Sequence, residues 1–124
     1  MKPSQILNYA KKVGSSATIK LANYITKLKT QGYNDTDIMH KIYNNFNFVT
    51  ELGHKSLQLV GANPKHNDFQ QAFVDNFTKT QRNKMLLGVI NAKVMGWHND
   101  KIVESLRMRY DLNNKFSHWL IKQV

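Results

Sequence analysis

Apolar residues recur along this chain at spacings of three and four, which is the period of an amphipathic helix. The first such stripe consists of Ile6, Leu7, Ala10 and Val13. Continued along the chain, the pattern predicts eight helices, near residues 3–12, 16–31, 35–46, 49–60, 67–77, 79–95, 99–109 and 113–123. The sequence has no sustained apolar-polar alternation and no Asn-Gly or Asp-Gly hairpin turn, so the predicted fold class is all-α.

A glycine followed by an aromatic residue ends the second predicted helix in each half of the chain. These pairs are Gly32-Tyr33 and Gly96-Trp97. Helices commonly end in this way, with glycine in the left-handed conformation and an apolar residue next. The predicted N-caps of the helices that follow are Asn34 or Asp35 in the first half and Asn99 or Asp100 in the second.

The same order of apolar residues occurs twice, because residues 32–60 match residues 96–124 when shifted by 64 positions. The match lies mainly in pattern; the residues identical to their partners are Gly32, Ile38, His54 and Val60. An ancestral duplication would explain it and predicts one compact helical domain over 1–124. Its two pseudo-repeats, 1–61 and 65–124, would each have about four helices and be joined by a short Gly/Pro linker. The alternative is two similar helical hairpins whose Gly-aromatic stops coincide.

Composition narrows the class of protein. A chain of 124 residues can bury one core, and the absence of cysteine excludes disulfides and thiolate chemistry. The sequence has no apolar run near the ~18 residues of a membrane span and no signal-peptide core. We therefore expect a soluble, cytoplasmic protein without a membrane span.

Charge is the second informative property of the sequence. Lys and Arg number 18 against 8 Asp and Glu, and the net charge of +10 is divided evenly between residues 1–64 and 65–124. Such a balance indicates an anionic partner or simply a solvated cationic surface. Abundant Asn and Lys are typical of AT-rich sources such as bacteriophages, plasmids and low-GC bacteria.

Helices three and four of each half resemble the helix-turn-helix pair, in which the second helix enters the DNA major groove. On this hypothesis the recognition helices carry Lys55, Ser56, Gln58, His118, Trp119, Lys122 and Gln123. Phosphates would be held by Lys41, Arg107 and Arg109. The small residue usual in the first helix and the glycine usual in the turn are absent from the sequence.

A looser basic surface, without base readout, is the other nucleic-acid hypothesis. The second helix of each half carries lysines interleaved with Asn and Thr, and each neutralised phosphate would add a salt-sensitive increment of affinity. A solvated helix face is the plain structural interpretation. Together, the predicted nucleic-acid-binding residues are Lys20, Lys27, Lys29, Lys41, Lys55, Lys84, Lys93, Arg107, Arg109 and Lys122.

No motif indicates catalysis or a cofactor, because HExxH, P-loop, GxGxxG and Ser-His-Asp patterns are absent from the sequence. His54 and His118 occupy matching positions, and packing of the halves about a pseudo-twofold axis could bring them together to bind a metal or exchange a proton. Glu51 is the only ligand-type residue at helical spacing from either. A polar or half-buried role is the better interpretation of both, and helix capping is the better interpretation of Asp35 and Asp37. We expect a non-enzymatic protein without cofactor or metal.

The element Gly32-Tyr33-x4-Ile38 and its copy Gly96-Trp97-x4-Ile102 resemble the three-helix repeats of RecX-type recombination regulators, which bind a protein filament on DNA. The resemblance covers a helix stop, a cap and one apolar residue. It supports a protein partner only as an alternative.

The leading hypothesis is a small basic protein that binds nucleic acid, above all double-stranded DNA, as an accessory or regulatory factor of a phage or plasmid. The alternative is a protein-interaction module, such as a phage-type inhibitor that blocks a host protein through an acidic surface. Binding of a basic amphipathic helix to a membrane surface is a weaker third option. The sequence leaves homodimer formation open.

Overall fold

Helices account for most of the described chain. The structure is a computed structural model, and it describes residues 1–47 and 64–124. The helices are α1 (Pro3–Val13), α2 (Ser16–Thr30), α3 (Asp35–Asn45), α4 (Pro64–Asn76), α5 (Lys79–Val94), α6 (Asn99–Tyr110) and α7 (Asn114–Gln123). No strand occurs among these residues, so the all-α prediction is confirmed. The helix predicted over 49–60 lies outside the described residues.

Two helix ends confirm the predicted Gly-aromatic stops. Gly32 and Gly96 adopt left-handed φ angles of 88° and 82°. The N–H of the aromatic residue after each glycine donates to a carbonyl one turn back, at 3.2 Å in the first case and 3.0 Å in the second. This is the Schellman arrangement, which satisfies carbonyls that the helix itself leaves without partners.

The helices after these two stops begin differently. Asn34 caps α3, because its side-chain oxygen accepts a hydrogen bond from the Asp37 N–H at 2.8 Å. The N-cap of α6 is His98, whose side chain makes no capping bond with any described residue. The prediction that Asn99 or Asp100 caps this helix is therefore wrong, because α6 already begins at Asn99. Asp100 lies in its first turn, where a carboxylate is favoured by the helix dipole.

α5 is the central helix of the described part of the chain. It contacts α1, α3, α6 and α7. Its buried apolar side chains occupy more than one face, which is typical of a core helix: Met85, Leu86, Leu87, Val89, Ile90 and Ala92. Around it, α1 packs mainly on α2, and α6 packs mainly on α7. Residues from both halves of the sequence thus share one hydrophobic core, whereas the division into pseudo-repeats stays a prediction.

The side chain of Asn83 joins α5 to the end of α3. It is fully buried, and its amide nitrogen donates to the carbonyls of Ile42 (3.0 Å), Tyr43 (2.9 Å) and Phe46 (2.7 Å). These carbonyls belong to the last turn of α3 and to its C-cap, where helix carbonyls need partners from elsewhere. Asn83 therefore caps a helix that lies far from it in the sequence.

Candidate nucleic-acid interface

The exposed face of α7 is basic. Lys115, His118 and Lys122 are exposed, whereas the aromatic and aliphatic residues between them are buried. At about 100° per residue, the three exposed positions lie within roughly 60° of one another around the helix axis. We call these three residues the α7 stripe.

An aromatic cluster anchors the opposite face of α7. Phe116 and Trp119 pack against Phe69 and Phe73 of α4, with ring centroids 5.8 to 6.0 Å apart. Trp119 retains 6% exposure and therefore belongs to the core, although it lies on the helix predicted to read DNA. Gln123, on the same helix, is half-buried and donates to the Trp119 carbonyl at 2.9 Å.

Two hydrogen bonds from other helices hold the C-terminal end of α7. Lys93 Nζ of α5 donates to the Ile121 carbonyl at 2.8 Å, and the Tyr9 hydroxyl of α1 donates to the main-chain oxygen of Val124 at 2.6 Å. Burial lowers the pKa of Lys93 and raises the pKa of Tyr9, because it disfavours the charged form of each. The ammonium of Lys93, predicted as a phosphate contact, is thus half-buried and engaged with α7.

A short connection of residues 111–113 joins α6 to α7. Asp111 takes the left-handed conformation, with φ of 56°, and Leu112 is buried. Asn113 then caps α7, since its side-chain oxygen accepts from the Phe116 N–H at 2.8 Å. Aspartate is among the few residues besides glycine that adopt the left-handed conformation, so this turn needs no glycine. The α6–α7 pair therefore has the short turn that a helix-turn-helix requires.

Arg107 and Arg109 are both exposed on α6 but have different neighbours. Arg107 forms two hydrogen bonds with Glu104, from Nε at 3.2 Å and from Nη2 at 2.5 Å. These bonds raise the pKa of Arg107 and lower the pKa of Glu104. An exposed ion pair of this kind adds little stability, so Arg107 can exchange the carboxylate for another anion.

A groove between α5 and α6 brings two of the predicted cations together. Lys84 and Arg109 both line this cavity of about 280 Å³, which we call the α5–α6 groove. Gly88 leaves it open, because a Cβ at this position would meet no described atom within 4 Å. Trp97 also lines the groove, and Lys101 Nζ lies 4.1 Å from the centroid of the Trp97 ring. The apolar wall includes Met85, Val89, Ile102 and Leu106.

The lysines predicted on α2 lie on a different group of helices. Lys27 and Lys29 are exposed in the last turn of α2, and Lys20 is half-buried. The main neighbours of α2 are α1 and α3, while those of α7 are α4, α5 and α6. Cations in the last turn of a helix interact favourably with the negative end of the helix dipole, and this gives Lys27 and Lys29 a structural role.

The two remaining predicted cations belong to the third and fourth predicted helices of the first half. Lys41 is half-buried on α3, with Nζ 4.6 Å from the ring centroid of Tyr33. This is a cation–π contact, which holds the ammonium at the surface without neutralising it. Lys55 lies outside the described residues.

The histidines of the described residues do not form a further site. His118 is exposed, and His54 lies outside the described residues. Among the residues whose side chains the structure describes, 1–47 and 69–124, no group of three metal-ligating side chains occurs. Within the same ranges, no helix combines the length and apolarity needed to cross a bilayer. The chain matches no protein-family model, no curated protein and no solved structure.

Two features of the site, Lys115 and the α5–α6 groove, were not predicted from the sequence. A signal for Lys115 exists, because it stands three and seven residues before His118 and Lys122, which places all three on one helix face. The groove has no comparable local signal. It depends on the packing of α5 against α6 and on the missing side chain at Gly88.

Proposed function

We propose that this chain is a small, basic, non-enzymatic protein that binds double-stranded DNA, as an accessory or regulatory factor of a phage or plasmid. The α7 stripe carries the proposal: it places cationic and hydrogen-bonding side chains on one exposed face of a helix that follows a short turn. In helix-turn-helix proteins the second helix lies in the major groove, which is about 12 Å wide and admits one helix. The phage or plasmid origin rests on composition alone.

The fixed position of α7 supports this role. The aromatic cluster and the bonds from Lys93 and Tyr9 restrain the helix from behind. A restrained helix loses little conformational entropy on binding. In the proposed complex, Lys115 and Lys122 donate to phosphates or to guanine O6 and N7, which are the usual acceptors of basic side chains in the major groove.

Other cations would add affinity that does not depend on base sequence. Arg107 exchanges Glu104 for a phosphate, and Lys27 and Lys29 contribute to the positive field of a chain with net charge +10. Lys20, Lys41, Lys84, Arg109 and the undescribed Lys55 stay in the proposal as predicted phosphate contacts, whereas Lys93 is assigned to holding α7. In this proposal the two halves derive from a duplication, and the protein meets its DNA in the cytoplasm.

Fluorescence anisotropy with a labelled duplex and its matched single strand, measured across salt concentrations, tests the proposal. We expect the duplex to bind with a Kd at or below about 1 μM at ~50 mM salt, and log K to fall linearly with log salt. The variant Lys115→Glu/Lys122→Glu should weaken duplex binding by about tenfold or more. It should also reduce the salt slope by about 2, because the variant neutralises roughly two fewer phosphates than the natural chain.

A matched control reverses two charges elsewhere. Lys11→Glu/Lys79→Glu changes the net charge equally, and both lysines are exposed, on α1 and α5. Lys79 lies at the end of α5 opposite to Lys93, which contacts α7. The control should lose much less duplex affinity than the stripe variant, with circular dichroism confirming that both are folded. Equal losses, or no duplex binding at low salt, would contradict the proposal.

A protein-interaction module is the second candidate function. One observation favours it, namely that the α5–α6 groove combines an apolar wall with two cations. Duplex DNA presents phosphates and base edges but no apolar side chain that would fill such a groove.

A further inference from the structure

The α5–α6 groove differs in chemistry from the α7 stripe. It joins an aliphatic and thioether wall to two cations, Lys84 and Arg109, and none of its described lining residues is acidic. Lys84 stands early in α5 and Arg109 late in α6, so both lie on the part of the groove remote from the turn at Gly96. The groove is thus apolar along its wall and positively charged in one region.

We propose that the α5–α6 groove binds an acidic segment of another protein, which places one apolar side chain over Gly88 and carboxylates on Lys84 and Arg109. Charge complementarity argues for the acidic partner, because both charged lining residues are cations. The size argues for a side chain: about 280 Å³ is below the ~300–1,000 Å³ of pockets that enclose drug-sized ligands. Amphipathic peptides bind apolar grooves in this way, with specificity from flanking charges.

The wall of the groove favours an apolar side chain over a nucleobase. Bases bound without sequence readout usually stack on exposed aromatic faces. The Trp97 ring already has the Lys101 ammonium at 4.1 Å from its centroid, and Tyr110 is half-buried. The 61% exposed Met95 instead offers a flexible thioether, which adapts to apolar side chains of different shape.

The first half of the chain indicates what fills such a groove. Tyr24 stands 64 positions before Gly88, and its ring packs on Phe46 with centroids 5.3 Å apart. Under the proposed duplication, an aromatic side chain of α2 therefore stands where α5 has Gly88 and the open groove. The substitution Gly88→Tyr would copy the first-half arrangement and keep both cations.

Peptide selection tests this inference. The probe is a phage-displayed library of random peptides about 12 residues long, enough to follow as a helix the ~16 Å of α5 between Lys84 and Met95. The full chain is the target, and the Gly88→Tyr variant is used for counter-selection. We expect enriched peptides that flank an apolar residue with Asp or Glu. A synthetic copy should bind the natural chain about tenfold or more tightly than Gly88→Tyr, by isothermal titration calorimetry.

Two further measurements keep the test decisive. Arg109→Glu should also weaken the peptide, which covers the case in which Gly88→Tyr fails to fold. Gly88→Tyr should keep the duplex affinity of the natural chain, because it retains the α7 stripe and the charges of Lys84 and Arg109; failure in the groove is therefore distinguishable from failure of duplex binding. The inference is overturned if no peptide is enriched, if enriched peptides are neutral or basic, or if they bind Gly88→Tyr equally well. Stronger competition for the groove by a single-stranded oligonucleotide than by the unlabelled acidic peptide would assign the groove to nucleic acid instead.

Discussion

The helix pairs α2–α3 and α5–α6 share a backbone turn but differ in the surface beside it. Gly32 and Gly96 end α2 and α5 with the same left-handed stop. Eight residues before the first stop, Tyr24 packs on Phe46; eight residues before the second, Gly88 lines a groove. The two pairs thus share a helix stop, and we attribute the open groove of the second pair to the missing side chain at Gly88.

Another pair of positions 64 residues apart shows that α5 lies at the centre of the packed helices, whereas α2 does not. Ile19 on α2 is 46% exposed, whereas Asn83 on α5 is fully buried and bonded to the end of α3. Tyr9 on α1 reaches the end of α7, whereas Phe73 on α4 joins the aromatic cluster. Similar apolar patterns therefore produce helices with different partners.

The largest expected effect comes from removing the amide of Asn83. Asn83→Ala leaves buried carbonyls at the end of α3 without a donor, so we expect a loss of about 3 kcal/mol in the free energy of unfolding. Urea denaturation followed by circular dichroism measures it. Ile19→Ala is the control at the exposed matching position and should cost less than about 1 kcal/mol. Equal losses would mean that α2 and α5 do not differ in the way described.

The two glycine stops should respond alike. A Cβ at Gly32 or Gly96 would meet no described atom within 4 Å, so the cost of Gly32→Ala or Gly96→Ala is that of the left-handed backbone alone. We expect each variant to lose about 1–2 kcal/mol of unfolding free energy. If one variant lost stability and the other gained it, the two turns would not be equivalent.

The smallest expected effect concerns Tyr9 and its pH dependence. Tyr9→Phe copies the residue at position 73 and removes one buried hydrogen bond, at a cost of about 1 kcal/mol near neutral pH. Burial raises the pKa of Tyr9 above its unfolded value, so its contribution is complete below about pH 10. That contribution is lost as pH rises through the folded pKa.

The unfolding free energy of the natural chain should therefore fall more steeply above about pH 10 than that of Tyr9→Phe, as urea denaturation at several pH values would measure. Burial lowers the pKa of Lys93, so this residue makes the unfolding free energy rise as pH approaches its unfolded pKa. This contribution is the same in the natural chain and in Tyr9→Phe. The difference between them thus isolates Tyr9. Parallel pH profiles would contradict a buried hydroxyl at this position.

Local signals made most of the helices predictable from the sequence. The periodic apolar residues of α2 and the glycines that end α2 and α5 act within a few residues, and the observed bounds Ser16–Thr30 and Lys79–Val94 follow the predicted 16–31 and 79–95. Asn83 and Lys93 were not predictable in their roles. Their partners lie 37 to 41 and 28 residues away, so only the packing of the helices brings them together.

The candidate site was predictable only in part. Cations on α6 and α7 follow from the sequence, but which residues of α7 face outward depends on the cluster that buries Trp119. The open surface at Gly88 depends on the absence of a side chain, for which a hydrophobic pattern carries no signal.

DNA binding through α7 is tested most directly by the salt dependence of duplex binding for the natural chain, the stripe variant Lys115→Glu/Lys122→Glu and the control Lys11→Glu/Lys79→Glu. We expect salt-sensitive duplex binding by the natural chain and the control, and a salt slope lower by about 2 for the stripe variant. Identical slopes for both variants, or no duplex binding by the natural chain at low salt, would contradict it.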